Sequence, residues 1–595
     1  MFTLDVLLVF IALGFILYSL YFEVFGPSFT FLVAVLFLGI FGILEPKEIL
    51  EGFGNEQVAI IIMLLLLGDV IRRTTIIEAA FDRLFRNAKS FRGFQARMMI
   101  IVAAFSSILN NTPLVAVMMP YVDNWCKRNN YSVSKFLIPL SFAAILGGSV
   151  TLIGTSTNLI VNGMVVEQKL DNLPELNMFD FVYVGIPMMI IGILYILFIG
   201  HRLLPGKDRP ELVQSEATRN YLVPARIRHG SSLIGKKLND TELRNIKGLE
   251  LVEYIKKGKN ILSETDDIIL EEEDNLVFSG DVEKYADMLN SSSGLVVPEV
   301  GMLSKSKKSE INELIVSQNS SLIARKLKNI NFRASYDAAA LAIHRNGEQL
   351  KTNIQNEELR AGDVLLIYAG EAFDNRTRNS HDFYFLTRFR DFVKIDTWKI
   401  VLMLIAVVGS ITLSALHIKG GLFFGLMVVL MMSLLFRITS PKELPKGIDY
   451  DLGLIIVMSL ALGTAMIKTG TAELIADALL TVFQPLGAVG ALFGVYFITT
   501  VLAAYITNKA SVGIVFPIAI VMAENLDIAN PAPFVLTVAY ASAANFMTPI
   551  GYQTNLMVYG PGKYSFKDFF RIGFPLTILY MLGTVLILSF IFKLF

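Results

Sequence analysis

The chain has 595 residues, of which 54% are hydrophobic and only 17% charged, with a mean hydropathy of +0.56. Apolarity at that level excludes a soluble enzyme, and 52 basic residues balanced by 52 acidic ones leave no global charge pointing to nucleic acid. The single cysteine, Cys126, excludes intrachain disulfides and a cysteine-rich metal site.

The first apolar run, LDVLLVFIALGFILYSLYF, has no basic leader and no small-residue cleavage site, and is read as a retained helix. VAIIIMLLLLGDVI, IPMMIIGILYILFIG and LTILYMLGTVLILSFIF are each suited to a bilayer core of about 30 Å. Such spans fill roughly 1–200 and 396–595, which predicts a polytopic α-helical membrane protein. About ten spans and two re-entrant hairpins are expected. Trp125 and Trp398 fit interfacial anchors. Asp69 beside Arg72 and Arg73 reads as a local ion pair, with a proton-coupling role as the alternative, and His417 at a span end reads as ordinary.

Between the apolar blocks lies a hydrophilic insert, roughly 205–390, whose apolar residues alternate in short strand-like runs such as LELVEYI and DVLLIYAG. It repeats: SSLIGKKL at Ser231 returns as SSLIARKL at Ser320, 89 residues on. This pattern resembles tandem TrkA-C (RCK C-terminal) domains, a resemblance that implies two cytoplasmic α+β domains. It also implies a regulatory ligand, a nucleotide being one candidate, although no Gly-rich fingerprint is present. A docking or dimerisation module without ligand stays open beside it.

The apolar blocks repeat as well. LNNTPLVAVMMP matches ITNKASVGIVFP, and TLIGTSTNLIVNG matches TPIGYQTNLMVYG. Asn111 to Asn158 is 47 residues, as is Asn508 to Asn555, and Thr151 and Thr548 each fall 40 past the first asparagine. Basic residues crowd the flanks of the first asparagine segment (Arg83, Arg86, Lys89, Lys127, Arg128), whereas AENLDIANPAP follows the second. Charge bias therefore predicts that the first hairpin enters from the cytoplasm and the second from outside, so that the halves are inverted repeats. By count of the spans VEQKLDNLPELNMFD and the C-terminus fall outside and the insert inside, in agreement with that bias. Inverted halves with Gly- and Pro-interrupted helices point to a secondary transporter with one midplane site.

The four motif segments carry amides and hydroxyls: Asn110, Asn111 and Thr112; Thr151, Ser156, Thr157 and Asn158; Thr507 and Asn508; Thr548, Gln553, Thr554 and Asn555. Such oxygens suit a hard cation, and helix N-termini at the turns favour an anion. A sodium ion and an oxyanion side by side would assist each other.

These residues resemble the paired Ser-Asn-Thr motifs of the divalent anion/sodium symporters, within the wider ion transporter superfamily. The resemblance implies a homodimer in the bacterial inner membrane that moves its cargo by an elevator-like alternation. By position it implies that Asn111 and Asn508 serve both ions, Thr112 the substrate and Ser106 the sodium. With the other polar groups of the motif segments, the expected substrate set is Asn111, Thr112, Ser156, Thr157, Asn508, Lys509, Thr548 and Thr554, and the expected sodium set is Ser106, Asn110, Asn111, Asn158, Thr507, Asn508 and Asn555. The TrkA-C-like insert points to the sulfate-permease-like branch, with sulfate preferred and a dicarboxylate next. Neither motif has its leading serine, and Lys509 stands where a threonine belongs. An amine in a membrane segment costs about 3 kcal/mol unless compensated. Four readings of Lys509 stay open: pairing with the substrate, replacing one sodium ion, snorkelling to an interface, or pairing with a scaffold carboxylate.

TPIGY echoes a potassium filter, but a proline follows its threonine and the first-half string is TLIGTS, so a channel is disfavoured. A sodium/proton antiporter would want a carboxylate that the motif segments lack. No catalytic triad, zinc spacing or P-loop appears, so an enzyme is not expected. The expected organisation is a membrane repeat over 1–204, TrkA-C-like domains over 205–297 and 298–390, and a second membrane repeat over 391–595.

Overall fold

A computed structural model of the protein describes residues 4–22, 24–72, 85, 90–168, 173, 175–205, 397–416, 420–436, 438–441 and 450–594 of the apolar part. In the hydrophilic part it describes 221–227, 229–238, 241, 243, 249–256, 259–260, 268–272, 274–280, 295–296, 310–317, 320–330, 332–345, 348–350, 354–370, 373–377, 380 and 382–385. The Asp69 side chain, Arg73, Arg83, Arg86, Lys89 and His417 lie outside the described residues. The chain forms two compact units, Met1–Gly206 with Arg390–Phe595, and Lys207–Phe389.

The first unit is helical. Its first half contains α1 (Leu4–Tyr21), α2 (Pro27–Ile40), α3 (Pro46–Glu51), α4 (Glu56–Arg72), α5 (Phe91–Ser106), α6 (Asn111–Asn129), α7 (Leu137–Gly148), α8 (Ser156–Gln168) and α9 (Val182–Tyr195). Its second half contains α10 (Thr397–Ala415), α11 (Gly421–Leu435), α12 (Tyr450–Lys468), α13 (Thr471–Phe483), α14 (Gly487–Tyr505), α15 (Asn508–Asn525), α16 (Ala532–Ala543), α17 (Gln553–Tyr559) and α18 (Phe566–Ile591). By length and composition α1, α9 with its continuation to Leu203, α14 and α18 can each cross a membrane. The α12–α13 pair, bent by 76°, passes the same test as one broken span. Shorter apolar helices, among them α2, α11 and α16, account for further hydropathy peaks read as spans.

Two helices set the centre. Every residue of α7 and every residue of α16 is buried, the signature of a helix that is apolar all round and enclosed by others. Each runs into an irregular loop, 149–155 after α7 and 544–552 after α16, and each loop ends in a helix N-terminus, at Ser156 and Gln553. Trp125 is not an interfacial anchor: it is 9% exposed and stacks on Phe94 at 3.8 Å within an aromatic cluster that includes Phe136. Trp398, 59% exposed, keeps that option. At one end of the bundle a cleft of about 390 Å³ is lined by Asn177 and Asp180 after α8, Asn530 before α16, and Phe592 after α18.

The second unit holds two five-stranded sheets. Strands β1 (Tyr221–Ile227), β2 (Leu249–Lys256), β3 (Lys259–Asn260), β4 (Asn275–Gly280) and β5 (Leu295–Val296) run in the order β3-β2-β4-β1-β5. Strands β6 (Glu310–Val316), β7 (Ala338–Arg345), β8 (Glu348–Gln349), β9 (Val364–Ala369) and β10 (Phe383–Phe385) run β10-β6-β9-β7-β8, the same topology read from the other edge. The 89-residue repeat is therefore structural. Even the bulge in the β2–β4 ladder between Leu251 and Glu253 returns between Ala340 and Ala342. All six residues of β9 are buried. Alternation explains it: Leu365, Ile367 and Ala369 face one core, while Leu366 and Tyr368 pack with Leu276 and Phe278 of the first sheet.

Candidate functional site

The site residues belong to two helix–tip–helix segments and two irregular loops. In the first segment α5 ends at Ser106 and α6 begins at Asn111, with Asn110 as N-cap accepting from Thr112 N at 3.4 Å. In the second, α14 ends at Tyr505 and α15 begins at Asn508, where Thr507 Oγ1 accepts from Ala510 N at 3.2 Å. Short polar side chains cap the helices because their oxygens satisfy amides that have no intrahelical partner. Pro120 and Pro517 sit at matching places inside α6 and α15.

The loops are locked onto the tips by one hydrogen-bond pattern, drawn twice. Thr151 Oγ1 donates to the Ser107 carbonyl and accepts from Gly154 N at 3.2 Å, while Asn158 Nδ2 donates to Thr151 O at 2.9 Å. Thr548 Oγ1 donates to the Ala504 carbonyl at 3.1 Å and accepts from Gly551 N at 3.1 Å, while Asn555 Nδ2 donates to Thr548 O at 3.1 Å. Every member of the second set lies 397 residues after its counterpart (548 less 151, 555 less 158). The repeated polar spacing therefore builds repeated bonds. Close approach is enforced by glycine: a Cβ on Gly148 would stand 2.7 Å from Asn111 Oδ1, and one on Gly551 would collide with Asn545 Nδ2.

The two halves meet at this place. Asn111 Nδ2 donates to Tyr552 OH at 2.6 Å and Thr112 Oγ1 donates to Gln553 Oε1 at 2.9 Å. Thr155 Oγ1 lies 3.2 Å from Tyr552 OH and 3.3 Å from Thr157 Oγ1. Ser141, on α7, donates towards Thr554 Oγ1 at 2.8 Å and Asn555 Oδ1 at 2.7 Å. On the second tip, Asn545 Nδ2 donates to Ala503 O at 2.7 Å. The loop after α16 thus bonds to both tips. Ser156 and Asn110 line a separate small cleft of about 50 Å³, walled by Ile61, Leu64, Ile108 and Val407.

The oxygens are unevenly satisfied. Ser106 Oγ has one proton and two acceptors, Asn111 Oδ1 and the Ala144 carbonyl at 2.7 Å. Its counterpart 397 residues on is Ala503, which has no hydroxyl, and the buried Asn508 Oδ1 has no hydrogen-bond partner among the described residues. The counterpart of Ser141 is Val538, and the buried Asn158 Oδ1, matching the bonded Asn555 Oδ1, is also without a partner among the described residues. Asn545 Oδ1 is a third such oxygen. Leaving an amide oxygen unpaired in a buried place costs about 1–3 kcal/mol, and a hard cation removes that cost. Lys509, in the first turn of α15, is half-buried and forms no ion pair among the described residues. Four helix N-termini, at Asn111, Ser156, Asn508 and Gln553, belong to the same tips and loops. Tyr552, Thr155, Ser141 and Asn545 join these contacts without having been singled out by sequence reasoning. Tyr552 alone carried a signal, as the bulkiest change between the two loop motifs.

Comparison with known proteins agrees with a transporter. The chain is 31% identical over 580 residues to an uncharacterised transporter of Synechocystis sp., covering 94% of this chain and 93% of the relative. It is 30% identical over 556 residues to a Chlamydomonas reinhardtii protein whose name ties it to sulfur deprivation, covering 91% and 94% of the two chains. It is 22% identical over 771 residues to sodium/sulfate cotransporter 1 of the same alga, covering 94% and 86%. A family model described as citrate transporter matches residues 17–428 and 421–595. Apolar helices of spanning length and near-complete coverage by these relatives make the protein an integral membrane transporter, and the chain belongs to the citrate transporter (CitMHS) family.

Proposed function

We propose that the protein is a secondary transporter that couples sodium to the movement of a small oxyanion, sulfate first and a dicarboxylate next. The observation that carries this reading is the union, at the tips and loops, of helix N-termini, buried amide oxygens without a donor and an ammonium without an ion pair among the described residues. Each helix N-terminus contributes about 0.3–1 kcal/mol towards an anion. Lys509 adds a full charge, so the substrate oxyanion compensates the amine. No carboxylate belongs to the four site segments, which leaves proton antiport without a titrating group there. The sodium/sulfate cotransporter names among the relatives support the same cargo and coupling ion.

In this reading Asn508, Lys509, Thr112, Ser156, Thr157, Thr548, Thr554 and Asn111 form the anion's surroundings. Ser106, Asn111, Asn110 and Asn158 with Thr507, Asn508 and Asn555 supply sodium ligands. Ser106 Oγ, Asn111 Oδ1 and the Ala144 carbonyl offer three oxygens sharing one proton. The second half lacks that hydroxyl, and Lys509 stands in for one sodium ion. The halves are inverted repeats over 1–204 and 391–595, moved in an elevator-like alternation within a homodimer. The meeting of Asn177, Asn530 and Phe592 in one cleft supports the inversion, since charge bias places the Asn530 segment outside and the count of spans places the other two there. The sheets over 205–297 and 298–390 are cytoplasmic TrkA-C-like regulatory domains, sensing a small ligand such as a nucleotide. The membrane is a bacterial inner membrane.

The test is uptake of labelled sulfate and succinate into proteoliposomes, with and without an inward sodium gradient. Sulfate should accumulate only with the gradient. Uptake that ignores sodium and follows a pH gradient contradicts the coupling.

A further inference from the structure

Tyr552 and Thr155 are counterparts, 397 residues apart in the two repeats, and their hydroxyls lie 3.2 Å from each other. A residue that touches its own counterpart marks the line where the two halves face each other. At that line the first half presents a small threonine and the second a whole phenol. The phenol is 8% exposed, and its oxygen receives the amide N–H of Asn111 at 2.6 Å. Next to it Gln553 takes the hydroxyl of Thr112 at 2.9 Å. The first tip therefore has its donors engaged by the second loop. The second tip differs: among the described residues Lys509 has no ion pair, so its ammonium is left for an anion, and Asn508 Oδ1 beside it has no partner and suits the sodium ion.

We infer that Tyr552 is the size filter of the site: with Gln553 it takes up the side-chain donors of the first tip and narrows the anion's surroundings to one position, at the Lys509 ammonium of the second tip, for a single compact oxyanion. This deepens the oxyanion-transport reading and rests on it. A dicarboxylate or citrate places two or three carboxylates well apart and needs an anion position at each tip. Sulfate concentrates its charge on one tetrahedral centre and needs only the second. The citrate family is here adapted to the smaller anion by a ring where the other half has a methyl and a hydroxyl.

The experiment uses the full-length protein in proteoliposomes, with sodium-driven sulfate uptake competed by succinate and by citrate. Melting temperature with each anion present serves as a binding readout that does not depend on transport. In the unaltered protein succinate and citrate should compete at least tenfold less well than unlabelled sulfate. Tyr552→Thr should lower the inhibition constant for succinate at least tenfold while the sulfate KM moves less. Tyr552→Phe should keep the exclusion, because the ring stays. If the threonine variant does not fold, Tyr552→Leu makes the same comparison with an apolar side chain of smaller bulk. A folded Tyr552→Thr or Tyr552→Leu protein that still excludes succinate overturns the filter, as does a phenylalanine variant that admits it. Unaltered protein that takes succinate as readily as sulfate, both with sodium, overturns the filter and leaves sodium-coupled transport intact. If neither anion is taken up or raises the melting temperature at any sodium concentration, the transport reading fails and the filter with it.

Discussion

Lys509→Thr removes an ammonium that is half-buried and has no ion pair among the described residues. Two unit charges 4 Å apart at an effective dielectric constant of about 20 attract by roughly 4 kcal/mol. Partial exposure at this position halves that to about 2 kcal/mol, which corresponds to a roughly 30-fold rise in the sulfate KM. Folding should not suffer, because no side-chain hydrogen bond or ion pair among the described residues is lost, and an amine is removed from a membrane segment. Sodium-driven sulfate uptake over a range of both ions reads the effect, with a thermal melt in detergent as the folding control. The sodium requirement should steepen as an ion takes the vacated charge. An unchanged KM and unchanged sodium dependence in a folded variant would show that the lysine serves an interface and not the anion.

Ala324 adopts a left-handed backbone with φ 60°, where its counterpart in the first sheet domain is Gly235 at φ 82°. Ala324→Gly should therefore raise the stability of the second unit by about 0.5–1 kcal/mol, the relief of left-handed strain exceeding the glycine's extra unfolded-state freedom; hydrogen exchange at β6 and β9 measures it. Burial opposes ionisation of Asp382, but the hydroxyls of Ser380 and Tyr336 and the amide of Ser321 outweigh it and hold its carboxyl below the usual carboxylate range. The stability this provides is complete above the unfolded value near 4 and is lost as pH falls through the lower folded value. Asp382→Asn should flatten that acid loss in the exchange rates of the same strands. Deletion of 210–390 with rejoined ends should alter the regulation of uptake and leave transport itself; complete loss in a folded truncated protein would contradict a purely regulatory insert.

Both internal repeats were legible because each leaves residues that packing does not ask for. Thr151, Asn158, Thr548 and Asn555 are polar in apolar surroundings, and their equal intervals became duplicate hydrogen bonds. The insert's repeated strings became duplicate sheets with a duplicate bulge. The cross-half contacts were not legible, since sequence distance says nothing of which loop reaches which tip. Ser141 lies in the run LIPLSFAAILGG and reads there as a packing residue, yet it bonds to Thr554 and Asn555. Asn545 stands where the first half has Gly148, so matching the halves hides it. Tyr552 was absorbed into the filter-like string TPIGY, when its difference from Thr155 was the informative feature. Trp125 was misplaced for a related reason: an indole between polar and apolar sequence fits an interface as well as an aromatic cluster, and only the stacking on Phe94 separates them.

Selenate is close to sulfate in charge and shape and scatters anomalously at the selenium edge. Data collected from protein grown with sodium and selenate locate the anion directly. The oxyanion site predicts one selenium peak within hydrogen-bonding reach of Asn508 and Lys509, beside the ring of Tyr552 and dependent on sodium. A peak distant from both tips, or equal occupancy without sodium, contradicts it.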